Sequence, residues 1–283
     1  MKGKKRKTAI CFVLWGCLMS ACGDKETAPE PATVDSIREV AARMYDEVQN
    51  LYDDGHYLEA RLWADSLRTS YPKAVEVRRK LLTLSPYIDL GLASDSLRMA
   101  DSLLAEARGY LSALQREFHL EKAPTYQSVG YYMDPLQKSE LTHRTCLKAQ
   151  VDEQGEITLI SVVHGVRVFH RKLLLTADGQ KQNATHCFSF ITTETEGHEE
   201  EASFRYGPKI IGFFRQVSGP VTVQCKGEET NYSYQLSVSD QKALLHCLNL
   251  WEAYQKVKKQ EQLAQHLSNQ VRFYTMKIEK HGY

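Results

Sequence analysis

Apolar residues recur at helical spacing in the first part of this chain and at strand spacing in the middle. From Val34 onward, Val40, Met44, Val48 and Leu51 share one helical face, with Asp35 or Ser36 placed as N-cap and Glu39 in the first turn. The period changes to two at Thr125. Strands are predicted over 126–133, 142–151, 157–164, 167–175, 186–193, 202–206, 221–226 and 232–237, separated by turn signals such as Asp152-Glu153-Gln154-Gly155 and Ala177-Asp178-Gly179. Ile210, Phe213, Phe214 and Val217 predict a short helix near 208–217, opened by Pro208. Ser239 or Asp240 then caps a long C-terminal helix over 239–281, with one stripe of Leu244, Leu248, Trp251 and Tyr254 and a second of Leu263, Leu267, Val271, Tyr274 and Ile278. Forty helical residues span roughly 60 Å, more than the β region alone covers. The surplus is expected to pack antiparallel on 94–119, the alternative being dimerisation with another chain.

The helical part, 34–120, carries a local motif. Gly55-x-Tyr57-x-x-Ala60, with Pro72 twelve residues after that Ala, resembles the core of a tetratricopeptide repeat. In such a hairpin Gly55 makes the turn, Tyr57 fills the space under it, Ala60 lets two helices approach and Pro72 stops the second. Val48 stands where that family usually has a small residue. A shift of 36 aligns Asp53-Asp54-Gly55 with Asp89-Leu90-Gly91 and Ala64-Asp65-Ser66-Leu67 with Ala100-Asp101-Ser102-Leu103, which predicts a second hairpin. The expected fold class is therefore α+β: tetratricopeptide-like helical hairpins, a mainly antiparallel β domain over 125–238, and a long C-terminal helix packing back on the N-terminal helices.

The N-terminus adds an address. Lys2, Lys4, Lys5, Arg6 and Lys7 precede an uncharged run that ends Leu18-Met19-Ser20-Ala21-Cys22. This resembles the signal and lipobox of bacterial lipoproteins, which implies cleavage after residue 21 and lipidation of Cys22. An uncleaved anchor would have only fourteen apolar-run residues, roughly 21 Å against a hydrocarbon core of roughly 30 Å; a plain secretory signal is the other alternative. Residues 22–33 are polar with two prolines and read as an extended tether. Removing five cations and no anion takes the charge from +1 to −4. A mildly acidic chain has no electrostatic footprint for nucleic acid.

Candidate chemistry is sparse. Cys146, Cys187, Cys225 and Cys247 form no CxxC and no zinc-ligand spacing with a nearby His, so no metal or other cofactor is expected. Cys187 and Cys225 either pair as a disulfide or, like the others, are small buried residues. His143 and Cys146 lie three apart in a predicted strand, where they point to opposite faces. His164, His170 and His186 are weighed as a metal triad against dispersed histidines. The acidic run after His198 (Glu199, Glu200, Glu201) reads as a solvated loop. Tyr126, Tyr131, Tyr132, Tyr206, Tyr232 and Tyr234 are either a stacking surface for glycan or peptide, or ordinary strand residues. GxSxG, Walker, GxGxxG, HExxH and EF-hand patterns are absent, so no catalytic residue is assigned.

The order lipobox, helical hairpins with Asp-Ser-Leu and Tyr71-Pro72, a β domain entered through Tyr131-Tyr132, and Leu236-Ser237-Val238-Ser239-Asp240 opening a long helix resembles uncharacterised envelope lipoproteins of Bacteroides-type bacteria. Asp24 and Glu26 resemble their surface-export signals. The resemblance implies a location at the outer membrane of a Gram-negative bacterium through a lipid anchor, facing periplasm or cell surface. Three functions are weighed: a non-enzymatic binding or scaffold module for protein or glycan partners, an accessory protein of an outer-membrane assembly or transport machine, and an enzyme with an unrecognised site.

Overall fold

A computed structural model describes residues 34–123, 128–137, 144–194, 197–205 and 208–281. The expected signal segment, Cys22, the expected tether, Tyr126, His143 and Tyr206 lie outside these residues. The fold is α+β with antiparallel sheets and a long C-terminal helix.

Three helices open it: α1 (Val34–Asp53), α2 (Tyr57–Ser70) and α3 (Val75–Gln115). Gly55, at φ +80°, ends α1. Its N–H donates to the Tyr52 carbonyl at 3.0 Å and that of His56 to the Leu51 carbonyl at 2.8 Å. These are the two bonds of a Schellman cap, which needs the left-handed residue glycine supplies. Ala60 and Ala64 are buried where α2 crosses its neighbours, and with Val48, Leu67, Leu81, Leu84 and Ile88 they form a separate small core. Close approach there is set by the two alanines, and Val48 is accommodated beside them.

The predicted second hairpin is not formed. α3 runs unbroken for 41 residues through Pro86 and through Asp89-Leu90-Gly91. Two placements explain this. Gly91 is no turn residue: a Cβ there would sit 2.5 Å from the Tyr57 ring, so its bare backbone seats that ring against α3. Beyond it, Ala93, Leu97, Ala100, Leu104, Ala107, Leu111 and Leu114 recur at alternating steps of four and three, a seam that rewards continuing the helix.

The partner of that seam is α5 (Val238–His281). Gln115 Nε2 donates to Tyr254 Oη and Arg108 pairs with Glu261, each at 2.7 Å. Seven residues back along α3 match seven forward along α5, so the two run antiparallel. Ala253, Val257, Gln260, Ala264, Leu267, Val271, Tyr274 and Ile278 repeat the same four-three spacing. Alternating Ala with larger residues lets the backbones close in. Leu263 falls off this seam and is 43% exposed, unlike its place in the predicted stripe.

Among the described residues, ten strands form two sheets. The six-stranded sheet has the order β1 (His119–Glu121), β2 (Tyr131–Met133), β3 (Cys146–Asp152), β4 (Ile157–His164), β8 (Glu199–Arg205), β7 (Cys187–Thr193). The four-stranded sheet has the order β10 (Asn231–Gln235), β9 (Thr222–Lys226), β5 (Lys172–Ala177), β6 (Gln180–Ala184). β1 and β6 escaped the sequence reading, and residues 167–171 form a loop rather than a strand. One core joins both sheets to α3, α5 and α4 (Pro208–Gln216). α5 lies on β3, where the Cys247 thiol donates to the Ala149 carbonyl at 3.3 Å. Gly155, at φ +75°, admits Tyr254 so closely that an added Cβ would fall 2.6 Å from it.

Candidate functional site

The most concentrated chemistry lies between β4, β8 and the loop that leaves β4. Alternation along β8 sends Glu200 inward, fully buried, while Glu199 and Glu201 stay half-buried on the other side. The acidic run is thus a strand and not the expected solvated loop. Local composition could not show that donors, most of them 30 or more residues away, would meet its central carboxylate. They are the backbone N–H groups of Val168 at 2.6 Å, Phe169 at 2.8 Å and His170 at 3.4 Å, with His170 Nδ1 at 3.1 Å and His198 Nε2 at 2.9 Å. Burial alone would raise the Glu200 carboxyl, but the hydrogen bonds from His198, Phe169, His170 and Val168 outweigh it and bring it down to about 2.

The two histidines respond oppositely. Burial holds His170 below its ordinary value against the pull of Glu200. His198 is raised by hydrogen bonding to Glu200 and to Glu194, the latter 2.7 Å from its Nδ1. A neutral His170 donates from Nδ1 to Glu200 and accepts at Nε2 from the Ser161 hydroxyl, 3.0 Å away. Ser161 lies in turn 3.6 Å from the Cys225 thiol across the two sheets. Ser161, His170 and Glu200 repeat the order of an acyl-transfer triad. All three are fully buried, so no substrate carbonyl reaches the hydroxyl. The arrangement joins sheets and does no acyl chemistry.

What it does is shape the loop. Phe169 is held at φ +53°, a region bulky side chains rarely occupy, and the residue is 53% exposed. Its ring lies 6.5 Å from that of Phe190 on β7, tilted by 48°, and the Arg171 guanidinium sits 5.1 Å over Phe190. β7 ends the six-stranded sheet and, among the described residues, pairs only with β8. Phe188, at a bulge, and Ile191 are each 55% exposed along it. The result is an aromatic and basic shelf beside an unpaired strand edge.

A second feature lies in the helical half. Arg61, Arg68, Arg78, Arg79 and Lys277 line a cavity of about 680 Å³ between α2, the start of α3 and the end of α5, over a floor of Leu81 and Pro86.

The other sequence candidates disperse. His164 pairs with Glu199 at 3.7 Å, His170 is in the core and His186 is exposed, so the three do not converge. No group of three or more metal-ligating residues is found among the described residues. Cys146, Cys187, Cys225 and Cys247 are all free thiols, which leaves the Cys187–Cys225 pairing unformed. Tyr132, Tyr232 and Tyr234 are half-buried against the core, and Tyr131 is half-buried too; phenylalanines form the exposed surface instead. The shelf was not found from sequence, although the adjacent Phe169-His170-Arg171 and Phe188-Ser189-Phe190 were visible there. Comparison with family models, with characterised proteins and with solved structures finds no match.

Proposed function

We propose that the chain is a lipid-anchored envelope protein, held at the outer membrane through Cys22, that binds a protein partner without performing chemistry on it. The observation that carries this reading is Phe169. A bulky residue in a left-handed conformation costs of order 1–3 kcal/mol, and here a fully buried carboxylate with five donors holds it so that its ring faces solvent. Strain kept in an exposed aromatic side chain supports a binding role over a packing role. The neighbouring free edge of β7 supports an extended peptide segment as the element recognised, since strand addition supplies main-chain hydrogen bonds while Phe188, Phe190 and Ile191 offer side-chain contacts. A glycan platform is supported less well, because the Phe169 and Phe190 rings are not coplanar. In the same reading α1 and α2 form one tetratricopeptide-like hairpin, supported by Gly55, Tyr57, Ala60 and Pro72.

The test is photocrosslinking in native cells from positions 169 and 171, with position 181 on β6 as control. Both shelf positions should trap the same partner, the control should not, and Phe169→Ser should abolish the adduct formed from position 171. Identical adducts from all three positions, or full capture by Phe169→Ser, would refute the shelf. A partner from an outer-membrane assembly machine would assign the accessory role.

A further inference from the structure

We infer that the basic cleft of the helical half is a docking surface for anionic lipid headgroups. Its charges are unevenly satisfied. Arg61 pairs with Asp65 at 3.2 Å and with Asp89, and Arg68 with Asp65 at 3.3 Å, so these two are neutralised within the hairpin. Arg78 reaches the Pro72 carbonyl at 3.0 Å and, among the described residues, no carboxylate. Arg79 is 4.0 Å from Glu76, with both side chains at least three-quarters exposed. Lys277 has no ion pair among the described residues. Five cations therefore face three carboxylates, and the excess sits on the α3 and α5 side.

Apolar side chains stand among these cations. Val75 and Leu82 line the cleft and are each 63% exposed, and on α2 Leu58 and Leu62, at 59% and 61%, flank Arg61. Arginine mixed with exposed Leu and Val is the composition of a surface that settles at the boundary between headgroups and acyl chains. A free anion in water would leave those apolar groups uncovered.

The length of chain preceding the helices selects a membrane over an acidic peptide as occupant. α1 starts at Val34 and packs in the same small core as α2 and the start of α3. Eleven residues, 23–33, separate it from Cys22 and reach at most about 40 Å. The tether thus holds the cleft-bearing end at the bilayer, while α3, about 60 Å long, carries the β domain away. The net charge of −4 expected for the mature chain does not prevent this, because screening confines electrostatics to about 8–10 Å and leaves the local excess to act. The orientation rests on the anchor proposed at Cys22; the affinity of the cleft does not.

The test uses the chain from Gly23 onward, which keeps every described residue and cannot be lipidated. It is sedimented with vesicles of phosphatidylcholine alone and of phosphatidylcholine mixed with phosphatidylglycerol. Each Lys or Arg near an anionic surface strengthens binding about fivefold. Partition into the mixed vesicles should therefore exceed that into neutral ones by more than about tenfold and weaken as salt rises. Arg78→Glu with Arg79→Glu should remove this preference, and Leu82→Asp should weaken binding. Lys172→Glu with Lys181→Glu, an equal charge change on the exposed β domain, should leave it intact. Equal binding to both vesicles, retained preference in the arginine variant, or loss in the lysine control would overturn the proposal. So would binding of inorganic phosphate or an acidic peptide with the vesicles ignored. Thermal melts of each variant separate lost binding from lost folding. Lipidation is read independently, from whether Cys22→Ala releases the full chain from membranes, so one reading can fail while the other stands.

Discussion

Glu200 and Arg78 show two opposite treatments of charge in one chain. Glu200 is surrounded by donors and fully buried, and its environment over-satisfies it. Arg78 and Arg79 keep most of their hydrogen-bonding capacity turned to solvent, beside exposed Val75 and Leu82. A charge that organises structure is enclosed, because low dielectric strengthens every bond it makes. A charge that waits for a ligand stays wet, because burying it unpaired costs more than folding returns. Exposure rather than charge density therefore separates the architectural cluster from the docking surface.

Removing the enclosed charge should produce the largest effect. Glu200→Ala leaves buried donors without an acceptor, and breaking such a buried pair costs roughly 3–5 kcal/mol. The β domain should lose its cooperative melt in near-ultraviolet circular dichroism while helical signal from α1–α3 persists. A variant that melts like the parent would mean the network is not structural.

Acid should reach the same charge without mutation. Glu200 ionises at about 2 in the folded chain against an ordinary 4.5, so its contribution is present above pH 4.5 and is lost as pH falls towards 2. A shift of that size corresponds to roughly 3 kcal/mol. His170, lowered, acts in the same direction, since below its ordinary 6.5 the unfolded chain takes a proton the folded one refuses. His198, raised, acts oppositely and loses its contribution as pH climbs from 6.5 through its folded value. Melting temperature measured against pH should fall steeply below 4.5, and Glu200→Gln should flatten that fall.

Ala60→Leu tests the helical half without touching charge. It overpacks a crossing with no free space and should cost roughly 1–3 kcal/mol, read as a lower melting temperature of the helical signal alone. The smallest effect is expected where charge is open: Arg78→Glu with Arg79→Glu should change stability by less than about 0.5 kcal/mol by urea titration. A larger loss would make the cleft architectural too, and the contrast with Glu200 would collapse.

Where burial follows from local period, the sequence was legible. Strand β4 falls on 157–164 as predicted, α4 ends one residue earlier than predicted, and α5 starts one residue earlier. Where a residue's role depends on a distant neighbour, it was not. Gly91 copies Gly55 in sequence, yet it takes its part from Tyr57, more than thirty residues away, and stays helical. Glu200 looked solvated because its donors come from 168–170 and from His198. The arginines of the cleft showed only part of their arrangement: Arg61 and Arg68 share a helical face, but Lys277 joins them through the antiparallel return of α5.

The free thiols give this chain a clock. Burial raises Cys146 and Cys225 to about 11 and Cys247 to about 12, so at neutral pH they are protonated and slow to alkylate while enclosed. Residues 34–115, which hold α1, α2 and α3, contain no cysteine. In the chain from Gly23 onward, labelling by a thiol reagent therefore times opening around the β domain and not the α1–α2 hairpin. Half-buried Cys187 should react first, as the β7 edge frays, Cys225 only when the two sheets part, and Cys247 only when α5 lifts from β3.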